Sequence, residues 1–269
     1  MKKKRIIPVL ILRDGWLVQS YKFNDYKRLG NPKHAVLRLS QWDADELIYL
    51  DIGSHANYSQ SRIDINVEAY SDFISLIEDV SKVTRMPITV GGGIWSLKDI
   101  ENRLKAGADK ICINSSALEN PKFINDAVKE FGAQCVVVSV DYWSEKGVNS
   151  VYSHASRSKI DLELLDWVRE VESYGAGEIF INDVQRDGQQ SGYNVEAIEE
   201  VCESVTCPII ACGGAGSWDD MIELFEKTSV DAVAAGNIFH FMDQSVFLAR
   251  KALFESGQPV RPPTLSRDL

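Results

Sequence analysis

Pro87-Ile-Thr-Val-Gly-Gly-Gly93 and Pro208-Ile-Ile-Ala-Cys-Gly-Gly214 are two versions of one phrase: a proline, a short apolar run and a glycine cluster. A second pair follows the same plan, Glu46-Leu-Ile-Tyr-Leu-Asp51 against Glu178-Ile-Phe-Ile-Asn-Asp183. Both pairs are offset by about 120 to 130 residues, the mark of a duplicated unit. Short apolar runs recur throughout the chain, at 5–11, 46–51, 87–90, 110–114, 135–141, 178–182, 208–212 and 231–235, each followed by helical periodicity. Runs as continuous as Cys135-Val-Val-Val-Ser-Val140 are buried on both faces, as parallel strands inside a layer of helices require. An open doubly wound sheet would also satisfy that alternation but has no need of a half-by-half repeat. The sequence therefore predicts an α/β fold, a single (β/α)8 TIM barrel built from two half-barrels.

With 269 residues, 45% of them hydrophobic and 25% charged, the chain can bury one large core. The barrel is expected over 1–256, and the proline-bearing segment 257–269 (Pro259, Pro262, Pro263) as an irregular tail without chemistry. A net charge of -10 disfavours nucleic acid and anionic membrane as partners, since both reward a basic surface. No apolar run is long enough to span a bilayer, and the basic start leads into a strand rather than a signal peptide, so a cytoplasmic location is expected. Of five cysteines, Cys112, Cys135 and Cys212 fall in strand-like runs, and no CxxC or His/Cys cluster is present. Reduced thiols are expected, with no metal and no cofactor.

Chemistry in such a barrel gathers at the C-terminal ends of the strands. Gly92 and Gly93 follow one apolar run, Gly213 and Gly214 its repeat, and glycine backbone there lets amides approach phosphate oxygens. Asn114, Gly236 and Asn237 end the neighbouring runs and would complete two anion cups, suited to a ligand with two phosphates. Such glycines could equally serve only to permit tight turns. Asp51, Asp141, Asp183 and Asn182 end strands, and Asp187 lies in the loop Arg186-Asp-Gly188, so these groups are candidates for acid–base or polar contacts, or for turn and helix caps. At the opposite end the runs begin with Arg5, Glu46, Lys110 and Glu178, two cations and two anions that by themselves could be a stabilising set.

Lys4-Arg-Ile-Ile7, Thr89-Val-Gly-Gly-Gly-Ile94, Ala108-Asp-Lys110, Gly175-Ala-Gly-Glu178, Arg186-Asp-Gly188, Ser191-Gly-Tyr193, Ile210-Ala-Cys-Gly-Gly-Ala-Gly216 and Phe239-His-Phe241 stand in one order along the chain. In that order the sequence resembles the cyclase subunit of imidazole glycerol phosphate synthase, the HisF-like family, over nearly its whole length. The resemblance implies a partner, a HisH-like glutaminase, whose ammonia enters the barrel at its N-terminal face and reacts at the C-terminal face. It also implies a gate of Arg5, Glu46, Lys110 and Glu178, and a glutaminase contact at Asp109.

The family's two catalytic aspartates end the first and fifth strands. Asp141 matches the second, while the first position is Ile11, which cannot exchange a proton. The family's lysine in the first loop is Gln19, the threonine after Arg-Asp-Gly is Gln189, and its glycine-rich turn is not recognisable at 152–157. The expectation from these departures is that cyclisation is lost or weak and that the barrel conducts ammonia to a docked acceptor enzyme. Segments 9–15 and 21–32 resemble the divergent WbuZ-like branch, which implies an N-acetyl sugar amidotransferase forming an acetamidino sugar of surface polysaccharide. The alternative is an active cyclase of histidine biosynthesis in which Asp141 makes both proton transfers or a neighbour such as Asp183 replaces the missing carboxylate.

Overall fold

The computed structural model describes residues 3–53, 58 and 70–264. Twelve strands share one sheet: β1 (Arg5–Arg13), β2 (Trp16–Tyr21), β3 (Asp25–Gly30), β4 (Leu47–Asp51), β5 (Ile88–Gly91), β6 (Lys110–Ile113), β7 (Val136–Glu145), β8 (Val148–Ser153), β9 (Ser158–Glu163), β10 (Glu178–Asp183), β11 (Ile209–Cys212) and β12 (Ala232–Ala235). The order β10-β11-β12-β1-β4-β5-β6-β7 is parallel throughout, and the pairing of β7 with β10 closes the ring. The fold is thus a closed eight-stranded parallel barrel with helices between the strands, a (β/α)8 TIM barrel.

Strand alternation divides the residues into two cores. Ile7, Val9, Ile48, Cys112, Val137, Phe180, Ile210, Cys212, Ala232 and Ala234 fill the barrel interior, with Ile11 and Leu50 above them. Their alternates, among them Ile6, Leu10, Tyr49, Val90, Ile179 and Val233, pack outward against the helices. Cys112 and Cys212 lie inside, whereas Cys135 ends a 3-10 turn before β7, one residue short of the expected strand.

The repeat reaches beyond the strands. Helix Leu97–Lys105 opens with a Ser96/Asp99 capping box and helix Trp218–Lys227 with a Ser217/Asp220 box, and each acid's Oδ2 also takes an amide one residue before the cap, Trp95 N at 3.1 Å and Gly216 N at 2.8 Å. The strands that open the two halves, β1 and β7, each carry an antiparallel hairpin, β2–β3 and β8–β9. Neither hairpin is expected from the sequence, whose strand reading stops at 11 and 141. β1 and β7 stand four strands apart round the ring, so the hairpins rise from opposite walls at the C-terminal end.

The tail crosses the opposite end. Lys4 N donates to Pro259 O at 2.9 Å, Val260 is buried, and Arg261 Nε reaches Asp45 Oδ1 at 2.5 Å. Residues 265–269 of the expected tail lie outside the described residues.

Candidate active site

At the N-terminal mouth, Arg5, Glu46, Lys110 and Glu178 continue the inward-facing register of their strands. Arg5 Nη1 lies 2.6 Å from Glu46 Oε1 and 2.8 Å from Glu178 Oε1, and Lys110 Nζ lies 3.0 Å from Glu46 Oε2 and 2.8 Å from Glu178 Oε2. Each charge therefore touches two of opposite sign, in a closed ring over the apolar interior. Burial opposes the Arg5 charge, yet Glu178 and Glu46 outweigh it and raise its pKa. Asp109 sits beside the ring and is exposed; its Oδ2 accepts from Ile88 N at 2.8 Å, as Asp231 accepts from Ile209 N at 3.1 Å in the other half. A strand-fixing role is thus built in at Asp109.

At the C-terminal mouth lies a cavity of about 340 Å³, within the range of small-ligand sites. Its wall brings together Ile11, Asp51, Gly92, Gly93, Asn114, Asp141, Asn182, Asp187, Gly236 and Asn237. Gly213, Gly214 and Asp183 stand outside it among the described residues. Asp183 follows Ile179 and Ile181 in the outward register of β10, where its Oδ1 accepts the amides of Gln185 and Arg186 at 3.0 and 3.2 Å. Burial, only partly offset by these amides and the Arg186 charge, raises its pKa. An outward-facing carboxylate capping its own loop is not placed to stand in for residue 11.

The glycine loops are held from behind. Gly92 (φ 107°) has no room for a Cβ, which would fall 2.1 Å from Asp51 O, and its carbonyl accepts from Arg103 Nη2 at 2.5 Å. Gly214 (φ 106°) is as tight against Gly192 O, which Arg186 Nη1 holds at 3.1 Å. Arg103 and Arg186 are thus scaffold for the loops, a role that sequence spacing does not reveal. Asn114 and Asn237 each spend one of two side-chain N–H donors within the protein, on Asp141 Oδ2 at 2.6 Å and Ser20 O at 2.8 Å.

Ile11 pairs with Leu50 of β4 and Val18 of β2, so an apolar wall stands where the resemblance implied a carboxylate. Opposite it, Asp141 is nearly buried, and its Oδ2 takes a second contact from His154 Nε2 at 2.7 Å. His154 lies on the β8–β9 hairpin and its side chain is 42% exposed to the cavity. Burial alone would lower its pKa, but the hydrogen bond and charge of Asp141 win and raise it. Asp187 latches the other hairpin: its Oδ2 accepts from Ser20 Oγ at 2.6 Å and Phe23 N at 3.3 Å, and burial raises its pKa. His154 was not recognised in the sequence; the available signal was one of only four histidines, placed 13 residues after Asp141.

Among the described residues no cluster suited to a metal ion is found, and no helix is long and apolar enough to cross a membrane. The family described as "Histidine biosynthesis protein" matches residues 5–245. The chain is 39% identical over 261 residues, 97% of its length and 92% of the relative's, to a Vibrio vulnificus (strain YJ016) protein provisionally named imidazole glycerol phosphate synthase subunit hisF2. It is 38% identical to imidazole glycerol phosphate synthase subunit HisF of Streptococcus mutans and 39% to that of Streptococcus sanguinis, in each case with 97% of this chain and 100% of the relative covered.

Proposed function

This chain belongs to the histidine biosynthesis protein family, among the HisF subunits of imidazole glycerol phosphate synthase, and on that premise we propose that it takes ammonia from a HisH-like glutaminase and uses it in its C-terminal cavity. The observation that carries the reading is the closed ring of Arg5, Glu46, Lys110 and Glu178 over the apolar bore. An uncharged ammonia molecule can traverse such a bore, whereas ammonium would leave its hydration behind at large cost. The glutaminase docks on the N-terminal face, with Asp109 in the contact, in the cytoplasm. The cavity receives a ligand with two phosphates, held by backbone at Gly92, Gly93 and Gly236 with the Gly213–Gly214 loop behind.

Cyclisation is the use of ammonia best supported, because the relatives' names describe that synthase subunit. The earlier expectation, delivery to an N-acetyl sugar amidotransferase by a WbuZ-like protein, draws on one specific observation, Ile11 in the wall opposite Asp141, and stands second. Turnover of the biphosphorylated ribulosyl precursor by the purified protein with saturating ammonium salt separates them. Formation of imidazole glycerol phosphate supports the cyclase; an inert protein beside an active control cyclase removes it and leaves the conduit.

A further inference from the structure

The cavity presents the apolar Ile11 on its β1 wall, and addition of ammonia to a carbon–oxygen bond moves two protons, one off nitrogen and one onto oxygen. Asp141 serves one of these transfers. Asp183 is not among the cavity's described lining residues and caps its own loop through the amides of Gln185 and Arg186. Asp51 is committed on one oxygen to Gly53 N at 2.9 Å and on the other to the Tyr58 hydroxyl. Asp187 has its Oδ2 taken by Ser20 and Phe23, which ties it to the β2–β3 hairpin rather than to Asp141. His154 is different in kind: it is half exposed, it lines the cavity, and it comes from above rather than from the wall.

Its placement is over-determined. The imidazole is bonded to Asp141 on one edge, stacked under Phe23 with ring centroids 5.2 Å apart, and met edge-on by Tyr152 at 5.5 Å. Phe23 belongs to the opposite hairpin and is held at φ 53°, beside Lys22 at φ 51°. That left-handed region costs an L-residue roughly 1 to 2 kcal/mol, so the stack is maintained against the local backbone preference. The hairpin latch is itself built from Asp187, Ser20 and Asn237. Two hairpins on opposite strands thus meet over the cavity with the imidazole between them.

We propose that His154 is the second acid–base group of this site, working with Asp141 across their shared hydrogen bond in place of the carboxylate absent at residue 11. This rests on the reading that ammonia is consumed in the cavity. As the ammonia nitrogen bonds to a carbonyl carbon of the ligand, the carbon–oxygen π pair moves to oxygen. The His154 imidazolium gives its Nδ1 proton to that oxygen, keeping Nε2 on Asp141 Oδ2 at 2.7 Å, and the other Asp141 oxygen takes a proton from nitrogen, leaving a carbinolamine. Water reaching the exposed imidazole then carries the proton from Asp141 to Nδ1 and restores the starting pair. A second round protonates the hydroxyl, which leaves as water, while Asp141 takes a nitrogen proton to give the imine. Asp141 of β7 is the charge that favours the protonated imidazole, Tyr152 of β8 meets the ring edge-on, and Asp187 and Tyr26 line the same cavity.

The test is ammonium-driven turnover of the biphosphorylated ribulosyl precursor by the wild-type chain, H154Q and H154A, across pH, with folding checked by circular dichroism. The expected result is a kcat lower by about 10²- to 10⁴-fold in both variants, the range for loss of one acid–base group. KM should change little, and imidazole added to H154A should restore part of the rate. In the wild type, kcat falls as pH rises through the His154 pKa, and H154Q lacks that limb. By proton NMR the His154 ring titrates above its ordinary value, and D141N brings it down. Wild-type kcat and an unchanged pH profile in a folded H154Q overturn the assignment while leaving the ammonia reading intact. A wild-type chain inert with ammonium, beside an active control cyclase, overturns the reading that ammonia is consumed in this cavity, and the assignment with it.

Discussion

Phe23 stacks on His154 with their planes inclined by only 21°, although the two residues are carried by hairpins rooted in β1 and β7, on opposite walls of the barrel. The contact ties the two half-barrels together above the cavity. It also sets how firmly the imidazole is pressed toward Asp141. Removing the ring while keeping a Cβ leaves the left-handed backbone strained, whereas glycine relieves it. F23A should therefore lose the stack while keeping the strain, and F23G lose the stack while shedding it. Steady-state kinetics should show a fall in kcat common to both variants, and thermal unfolding a lower midpoint for F23A than for F23G. Equal kcat in wild type and both variants would show that the hairpins close without acting on His154.

Ile11→Asp puts back the group that the family pattern has at this wall. The new carboxylate would face Leu50 and Val18 and be short of partners, so it should cost about 1 to 3 kcal/mol in stability. If the cavity binds the family's ligand, the same change should raise ammonium-dependent cyclisation. Urea unfolding and the turnover assay measure the two effects separately. A stable, folded I11D protein with no gain in rate would mean that the cavity no longer presents the ligand to that wall.

Two histidines give opposite pH signatures. Burial, with the Arg38 charge, lowers the His240 pKa to about 4, so between its ordinary value near 6.5 and 4 the unfolded chain binds the extra proton and acid destabilises the fold. The slope from one such group is at most about 1.4 kcal/mol per pH unit. His154 is raised, so its contribution is fully present below about 6.5 and is lost as pH climbs through its folded value. H240Q should flatten the acid side of the stability curve, and H154Q the neutral to alkaline side. Chemical denaturation at half-unit pH intervals from 4 to 8.5 reads both.

The barrel was legible because its signals are periodic. The Pro87 and Pro208 phrases give the repeat, and the starts of four apolar runs place Arg5, Glu46, Lys110 and Glu178 together at one end of the barrel. Alternation sets Asp51 and Asp183 alike in the outer register of β4 and β10, yet only Asp51 lines the cavity, so strand position alone does not sort the strand-end carboxylates. The hairpins were not legible. Lys22 and Phe23 form the first turn without the glycine or asparagine that usually announces positive φ, and β3 is almost wholly polar and exposed. With the hairpins went His154, whose meaning depends on a contact across 13 residues rather than on any motif.

Lys110→Met tests the gate without cutting the chain's supply of ligand. Methionine keeps most of the stem, and Arg5 still spans Glu46 and Glu178, so each carboxylate loses one of its two cations. Discounted for solvent at the mouth, the stability cost should be about 1 to 3 kcal/mol. The informative quantity is a ratio. With a HisH-like glutaminase bound and glutamine as the nitrogen source, ammonia must pass the ring; with ammonium salt in bulk, it can reach the C-terminal cavity directly from solvent. K110M should therefore lower glutamine-driven product formation several-fold more than ammonium-driven formation, and release the missing ammonia into the medium, where a coupled glutamate dehydrogenase assay detects it. If the two rates fall together, the ring stabilises the mouth of the barrel and passage does not depend on it.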